Sequence, residues 1–262
     1  IAYYRYVPEN PKACIVISHG FCEFNEKYNE MIYYFLKAGY CVYFIEHRGH
    51  GRSGRKLDNL SKVHVSSYRE YTRDLCIFMN RIVIPETGGM KRYIFGHSMG
   101  GCIAALFIER YPELFSKAVL SSPMMEVKYG KYPAAIAAPI IRLYNFRGKG
   151  DEYAFGEHDF DGVNVFEYSS CKSRPRYEYI FEKRMNNPEY QTYGGTFSWI
   201  NAGSAAARKV RRRSSSGRVS IPVLLFQAGQ DRLVKGHGQN EFARRAGEVE
   251  LVHVKQSRHE IF

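Results

Sequence analysis

No stretch of the chain approaches the ~18 consecutive apolar residues that a membrane-spanning helix needs. The best run, 134–141, is short, contains Pro139 and ends at Arg142. No cleavable leader is visible, and no internal repeat interrupts the 262 residues. The six cysteines, at 14, 22, 41, 76, 102 and 171, form no C-x-x-C pair. Four of them lie inside apolar runs, where free cysteine packs as a small hydrophobe. That usage excludes a disulfide framework and fits a reducing, cytoplasmic location. Tryptophan occurs once, against 21 Tyr and 17 Phe. Acidic residues are also scarce, 26 against 38 Lys and Arg, so the net charge is +12. Such a balance favours anionic partners. Much of the excess lies in 208–218, which reads either as a solvated basic loop or as a surface for lipid head groups. No nucleic-acid motif accompanies it, so that partner is discounted.

What is present is ordinary for one large folded chain, with 45% apolar and 24% charged residues. Continuous apolar runs at 13–17, 41–45, 92–95, 117–120, 222–227 and 249–254 read as buried strands. Helical spacing separates them at 26–37, 66–83, 100–111 and 239–245. Repeated β-α-β with unbroken apolar strands predicts a mostly parallel, doubly wound sheet covered on both faces. Ligands then bind at the carboxyl ends of the strands. The interval 124–220 breaks the alternation and reads as a mainly helical insertion over that edge. This gives a core of 1–123 and 221–262 with a cap between them. Residues 133–142 suit either an apolar lid helix or a plain packing helix.

One strand ends in Gly96-His97-Ser98-Met99-Gly100, and a helical pattern follows at once. This is G-x-S-x-G in a strand-turn-helix setting. The tight turn strains Ser98 and crowds its neighbours, so Gly96 and Gly100 carry no Cβ. Ser98 Oγ is then raised above the sheet at a helix N-terminus, where negative charge is favoured. A serine hydroxyl needs a base to take its proton. His259, five residues past the last strand, is the best candidate. His253 falls within the strand and reads as a packing residue, His97 is adjacent on the turn and points elsewhere, and His237 reads as solvated. An imidazole also needs a carboxylate to hold its tautomer. Asp231 follows the strand 222–227 and precedes His259 by one helix and one strand. Glu248 and Glu260 follow no strand at the right end. His19-Gly20-Phe21 directly follows the first strand, so the backbone N–H groups of Phe21 and Met99 are candidates for an oxyanion hole.

The segments Ser18-His-Gly-Phe-Cys-Glu23 with Tyr28, Glu46-His-Arg-Gly-His-Gly-Arg-Ser-Gly54, Gly96-His-Ser-Met-Gly-Gly101, Ser122-Pro123 and Gln227-Ala-Gly-Gln-Asp231, with His259, resemble the α/β-hydrolase fold. More closely they resemble its monoacylglycerol lipase and bacterial lysophospholipase branch. Arg176-Tyr177, Asn187-Pro188 and 193–199 resemble words in that branch's cap. The resemblance implies a serine hydrolase of lipid carboxylic esters, a lysophospholipid or monoacylglycerol; the basic charge balance adds the expectation of transient contact at an anionic membrane surface. No metal and no organic cofactor is implied. Rival expectations are a general carboxylesterase or serine peptidase on the same scaffold, or a catalytically silent protein binding lipid or a partner. Glu46 replaces the branch's usual Asp and reads as structural. The branch also has a helix after its catalytic histidine, whereas this sequence ends three residues beyond His259.

Overall fold

The apolar runs assemble into one seven-stranded sheet. The structure, a computed structural model, describes residues 1–130 and 132–262. Its strands are β1 (Tyr3–Tyr6), β2 (Ala13–Ser18), β3 (Tyr40–Ile45), β4 (Lys62–Val63), β5 (Arg92–His97), β6 (Lys117–Ser121), β7 (Gly194–Gly195), β8 (Val223–Ala228) and β9 (Val249–Val254). The sheet order is β1-β3-β2-β5-β6-β8-β9, with β1 antiparallel to β3 and every other pairing parallel. The chain passes from β2 to β3 on one side, then returns to place β5 on the other side. The carboxyl ends of β2 and β5 therefore flank the topological switch point, where open α/β sheets bind ligands.

Nine α-helices complete the chain: α1 (Asn29–Lys37), α2 (Arg69–Phe78), α3 (Ile84–Thr87), α4 (Ser98–Ile108), α5 (Ala134–Phe146), α6 (Arg174–Asn186), α7 (Phe197–Arg211), α8 (Arg213–Ser216) and α9 (Gly236–Arg245) among the described residues. Strand alternation sorts the core. Ile15 and Ile17 of β2 pack with Ile32 of α1 on one face. Cys14 and Val16 pack on the other with Leu75, Ile103 and Phe242 of α2, α4 and α9. Every residue of α4 is buried, and a fully buried Ile or Leu contributes ~1.5–3 kcal/mol.

Three local departures from the sequence reading have physical causes. Tyr3–Tyr6 is an extra edge strand, paired antiparallel to β3. The helix expected to stop before Pro85 instead runs through a π turn, Met79–Val83, into α3. Proline has no N–H to donate and its ring crowds the carbonyl four residues back; one wider turn relieves both. The basic stretch 208–218 is not a loop. It is the end of α7 followed by α8, and Arg211 and Arg218 in it are ion-paired with Glu241 and Glu109.

The insertion between β6 and β8 carries α5 to α8, and its β7 pairs with β4. Thr196 caps α7 by accepting the Trp199 N–H at 3.2 Å. Ala202, Ala206 and Val210 of α7 join the same buried cluster as Cys102 and Leu106 of α4. This helix thus begins at the carboxyl edge, against Phe21, and descends the flank of the sheet.

Candidate active site

Ser98 occupies the junction of β5 and α4 with φ +50°, a left-handed conformation that costs a non-glycine residue energy. The glycines around it show why the turn tolerates nothing larger. A Cβ on Gly100 would lie 2.1 Å from the Ser18 carbonyl oxygen and 2.3 Å from that of His19. A Cβ on Gly96 would lie 2.8 Å from Gly101 Cα. The first turn of α4 is therefore pressed onto the end of β2, and the Ser18 hydroxyl donates to the Gly100 carbonyl at 3.1 Å. This contact brings the Met99 turn beside the loop that carries Phe21. Phe21 in turn packs on Trp199 of α7, ring centroids 4.2 Å apart.

Asp231 lies past the end of β8, and His259 past the end of β9. The structure joins them: His259 Nδ1 donates to Asp231 Oδ2 at 2.7 Å. The other oxygen of Asp231 accepts the N–H groups of Leu233 (2.8 Å) and Val234 (3.0 Å). Burial pushes this carboxyl up, but the His259 hydrogen bond and the two backbone donors prevail and hold it below its ordinary value. With Nδ1–H committed to Asp231, His259 presents the lone pair of Nε2. That atom is buried and has no hydrogen-bond partner among the described residues. No hydrogen bond joins it to Ser98 Oγ. Its ring stands 5.0 Å, centroid to centroid, from that of His97, the residue before Ser98.

His97 does not serve Ser98. Its Nδ1 bonds the Ser121 carbonyl at 3.1 Å, and burial pushes its pKa down to about 4. His253 is exposed on the edge strand β9, not packed as expected. His237 is solvated and pairs with Glu126 at 2.8 Å. Glu46 is structural: it accepts the backbone N–H of Asn25 (3.0 Å) and of Arg52 (2.7 Å). His19 is locked as a neutral imidazole. Its Nδ1 bonds the Gly20 carbonyl, its Nε2 accepts the His47 N–H at 2.8 Å, and burial lowers its pKa to about 4.

A buried charged cluster behind the site was not foreseen. Glu23 accepts from the Gly20 N–H, from Tyr28 Oη and from Lys27 Nζ, the last at 2.6 Å, and faces His97 Nε2 at 3.4 Å. Lys27 also reaches Glu260 at 2.9 Å. One ammonium thus ties the loop after β2 to the residue following His259. The i,i+4 spacing of Glu23 and Lys27 was a visible signal for half of this cluster. Among the described residues no group of three or more His, Cys, Asp or Glu side chains is placed to hold a metal ion.

The chain matches the family described as Serine aminopeptidase, S33, over residues 9–262. Lysophospholipase L2 of Escherichia coli (strain K12) is 30% identical over 243 residues, 92% of this chain and 70% of that protein. Monoglyceride lipase of Mus musculus is 31% identical over 234 residues, 87% of this chain and 68% of that protein. Among solved structures, the monoacylglycerol lipase of Paleococcus ferrophilus superposes with a TM-score of 0.74 at 19% identity, covering 100% of this chain and 92% of that one. The mostly parallel sheet and its flanking helices are thus the α/β-hydrolase fold expected from the sequence. With a match that spans nearly the whole chain, and relatives alike over almost all of it, this protein belongs to the serine aminopeptidase, S33, family.

Proposed function

We propose that the chain hydrolyses carboxylic esters of lipids in two steps, with Ser98 as nucleophile, His259 as base and Asp231 as its orienting carboxylate. The observation that carries this reading is the buried His259 Nε2, left without a partner by an imidazole whose other nitrogen is fixed on Asp231. An unpartnered buried nitrogen costs free energy, which a proton-accepting role explains. Nε2 takes the proton of Ser98 as Oγ attacks the ester carbonyl. The N–H groups of Phe21 and Met99 stabilise the oxyanion. The alcohol leaves with the proton from His259, giving an acyl-enzyme. Water, deprotonated by the same nitrogen, then releases the fatty acid and restores Ser98. The names of the E. coli and mouse relatives support a lysophospholipid or a monoacylglycerol as substrate, and the net charge of +12 favours the phosphate-bearing one.

The test compares turnover of a long-chain lysophospholipid, a monoacylglycerol, a short p-nitrophenyl ester and an aminoacyl p-nitroanilide, with fluorophosphonate labelling alongside. Ester turnover and labelling, both abolished in a folded Ser98→Ala variant, are expected. Labelling that persists in Ser98→Ala, or turnover of the anilide alone, would overturn the proposal.

A further inference from the structure

A groove of about 990 Å³ runs between α2, the end of α4 and α7, and neither Ser98, Asp231 nor His259 lines it. Its rim is basic. Arg69, Arg73, Arg110 and Lys209 all line it, and all four are exposed. Some cations elsewhere on this protein are neutralised, as where Arg211 meets Glu241 at 2.7 Å, Arg176 meets Glu30 at 2.7 Å and Arg48 meets Asp74 at 2.6 Å, while others, Lys91 and Lys117 among them, stand singly among the described residues; here four line one groove. The four rim cations have no carboxylate partner among the described residues. The groove's single carboxylate, Glu109, is already taken by Arg218 and the Ser215 hydroxyl. Four like charges gathered on one concave face repel one another, and no counter-charge of the protein offsets them. On one side α7 presents the small side chains of Ala202, Ala205 and Ala206 to the groove.

We propose that this groove is the docking face for the headgroup layer of a bilayer rich in anionic phospholipid. Phosphodiester oxygens accept from the four cations, and the small α7 side chains leave depth for a headgroup. A nucleic-acid groove would offer free aromatic rings for base stacking. Here Tyr68 is buried, and the ring of Tyr111 is covered by Arg110 at 5.3 Å. The choice of a lipid surface over an acidic protein rests on the lipid-ester reading above. α7 links the two regions. Its first turn holds Trp199 against Phe21 and its last turns hold Lys209, so about 15 Å of helix lies between those two side chains' positions.

The experiment is co-sedimentation of the full chain with vesicles of phosphatidylcholine alone, or with roughly one third phosphatidylglycerol, each rim cation being worth about fivefold in partitioning. The wild type is expected on the anionic vesicles and not on the neutral ones. Arg73→Gln/Arg110→Gln should bind about 25-fold more weakly, and Arg73→Glu/Arg110→Glu more weakly still. Both should retain wild-type hydrolysis of a soluble p-nitrophenyl ester. The Gln pair serves if the Glu pair fails to fold. Lys91→Glu/Lys117→Glu, an equal charge change on exposed positions away from the groove, should leave binding within about fivefold of wild type. Equal binding by the rim variants, an equal loss in the Lys91/Lys117 control, or tighter binding of an oligonucleotide through the same arginines would overturn the proposal. Vesicle binding is read without turnover. A protein that docks through these arginines but cleaves no lipid ester would sink the functional reading and leave this one standing.

Discussion

Replacing Lys27 with Met tests whether the cluster behind the site braces the His259 loop. The ammonium lies 2.6 Å from Glu23 and 2.9 Å from Glu260. At an effective dielectric near 20, a pair about 4 Å apart gains about 4 kcal/mol gross. Desolvation cancels most of that in the intact protein. Removing one partner of a buried pair nevertheless costs about 3–5 kcal/mol, because the other charge stays behind. The two carboxylates do not share the cost equally. Glu260's side chain is 21% exposed and turns to water, whereas Glu23's is 6% exposed and cannot. Glu23 keeps the Gly20 N–H and the Tyr28 hydroxyl as donors. This places the loss at the low end, about 3 kcal/mol. At about 2–4 °C per kcal/mol for a chain of this size, Tm falls by about 6–12 °C.

The pH dependence follows from the same groups. Burial pushes the Glu23 carboxyl up, but Lys27 and His97 outweigh it and hold it well below the usual carboxylate range. A lowered folded pKa contributes stability that is full above the unfolded value, near 4.5, and lost as pH falls through the folded one. Burial pushes Lys27 down, but Glu23 and Glu260 prevail and raise it. Its share is therefore full below its ordinary value of 10.5 and lost only as pH rises through the raised one. Without Lys27, Glu23 takes up a proton more readily in the folded state. The Tm gap between wild type and Lys27→Met is then widest near neutral pH and narrows as pH falls through about 4.5. Differential scanning calorimetry at stepped pH measures it. A gap under about 2 °C, or one that stays constant down to about pH 4, refutes the reasoning.

Asp231→Asn should fold normally yet lose about ten-thousandfold in kcat on a p-nitrophenyl ester, because an amide no longer holds His259 in the Nδ1–H tautomer; a loss below about tenfold would show that His259 is oriented otherwise. Gly100→Ala should cost about 3 kcal/mol or more, since its Cβ meets backbone oxygen at 2.1 Å, and should also abolish fluorophosphonate labelling by shifting the turn. Arg48→Gln leaves Asp74, a buried carboxylate, without its bidentate partner at 2.6 and 2.7 Å, and should lower stability by about 3–5 kcal/mol with ester turnover retained at low temperature. Urea denaturation followed by tyrosine and tryptophan fluorescence reads that loss.

How far the sequence could be read depended on whether a feature was local to one element. Ser98, Asp231 and His259 each follow an apolar strand within a few residues, so strand order alone put them on one edge, and the Asp231–His259 bond is where that edge closes. Gly96 and Gly100 were readable because the crowding that excludes a Cβ comes from the turn itself and the strand beside it. Tyr3–Tyr6 was not readable, because an edge strand of aromatic and basic residues has no apolar run and gains its pairing only from β3. The stretch 208–218 misled for a related reason. Ala202, Ala206 and Val210 continue a helical period into it, but the basic residues between them dominate the composition. The Lys27 cluster marks the limit. Glu23 and Lys27 stand one helical turn apart, so spacing suggests a pair that would be worth a few tenths of a kcal/mol on an exposed helix. Glu260, from the far end of the chain, and burial by the sheet convert that modest pair into a charge whose removal leaves a carboxylate in the core. Its energetic weight comes from exclusion of water, which no residue spacing encodes.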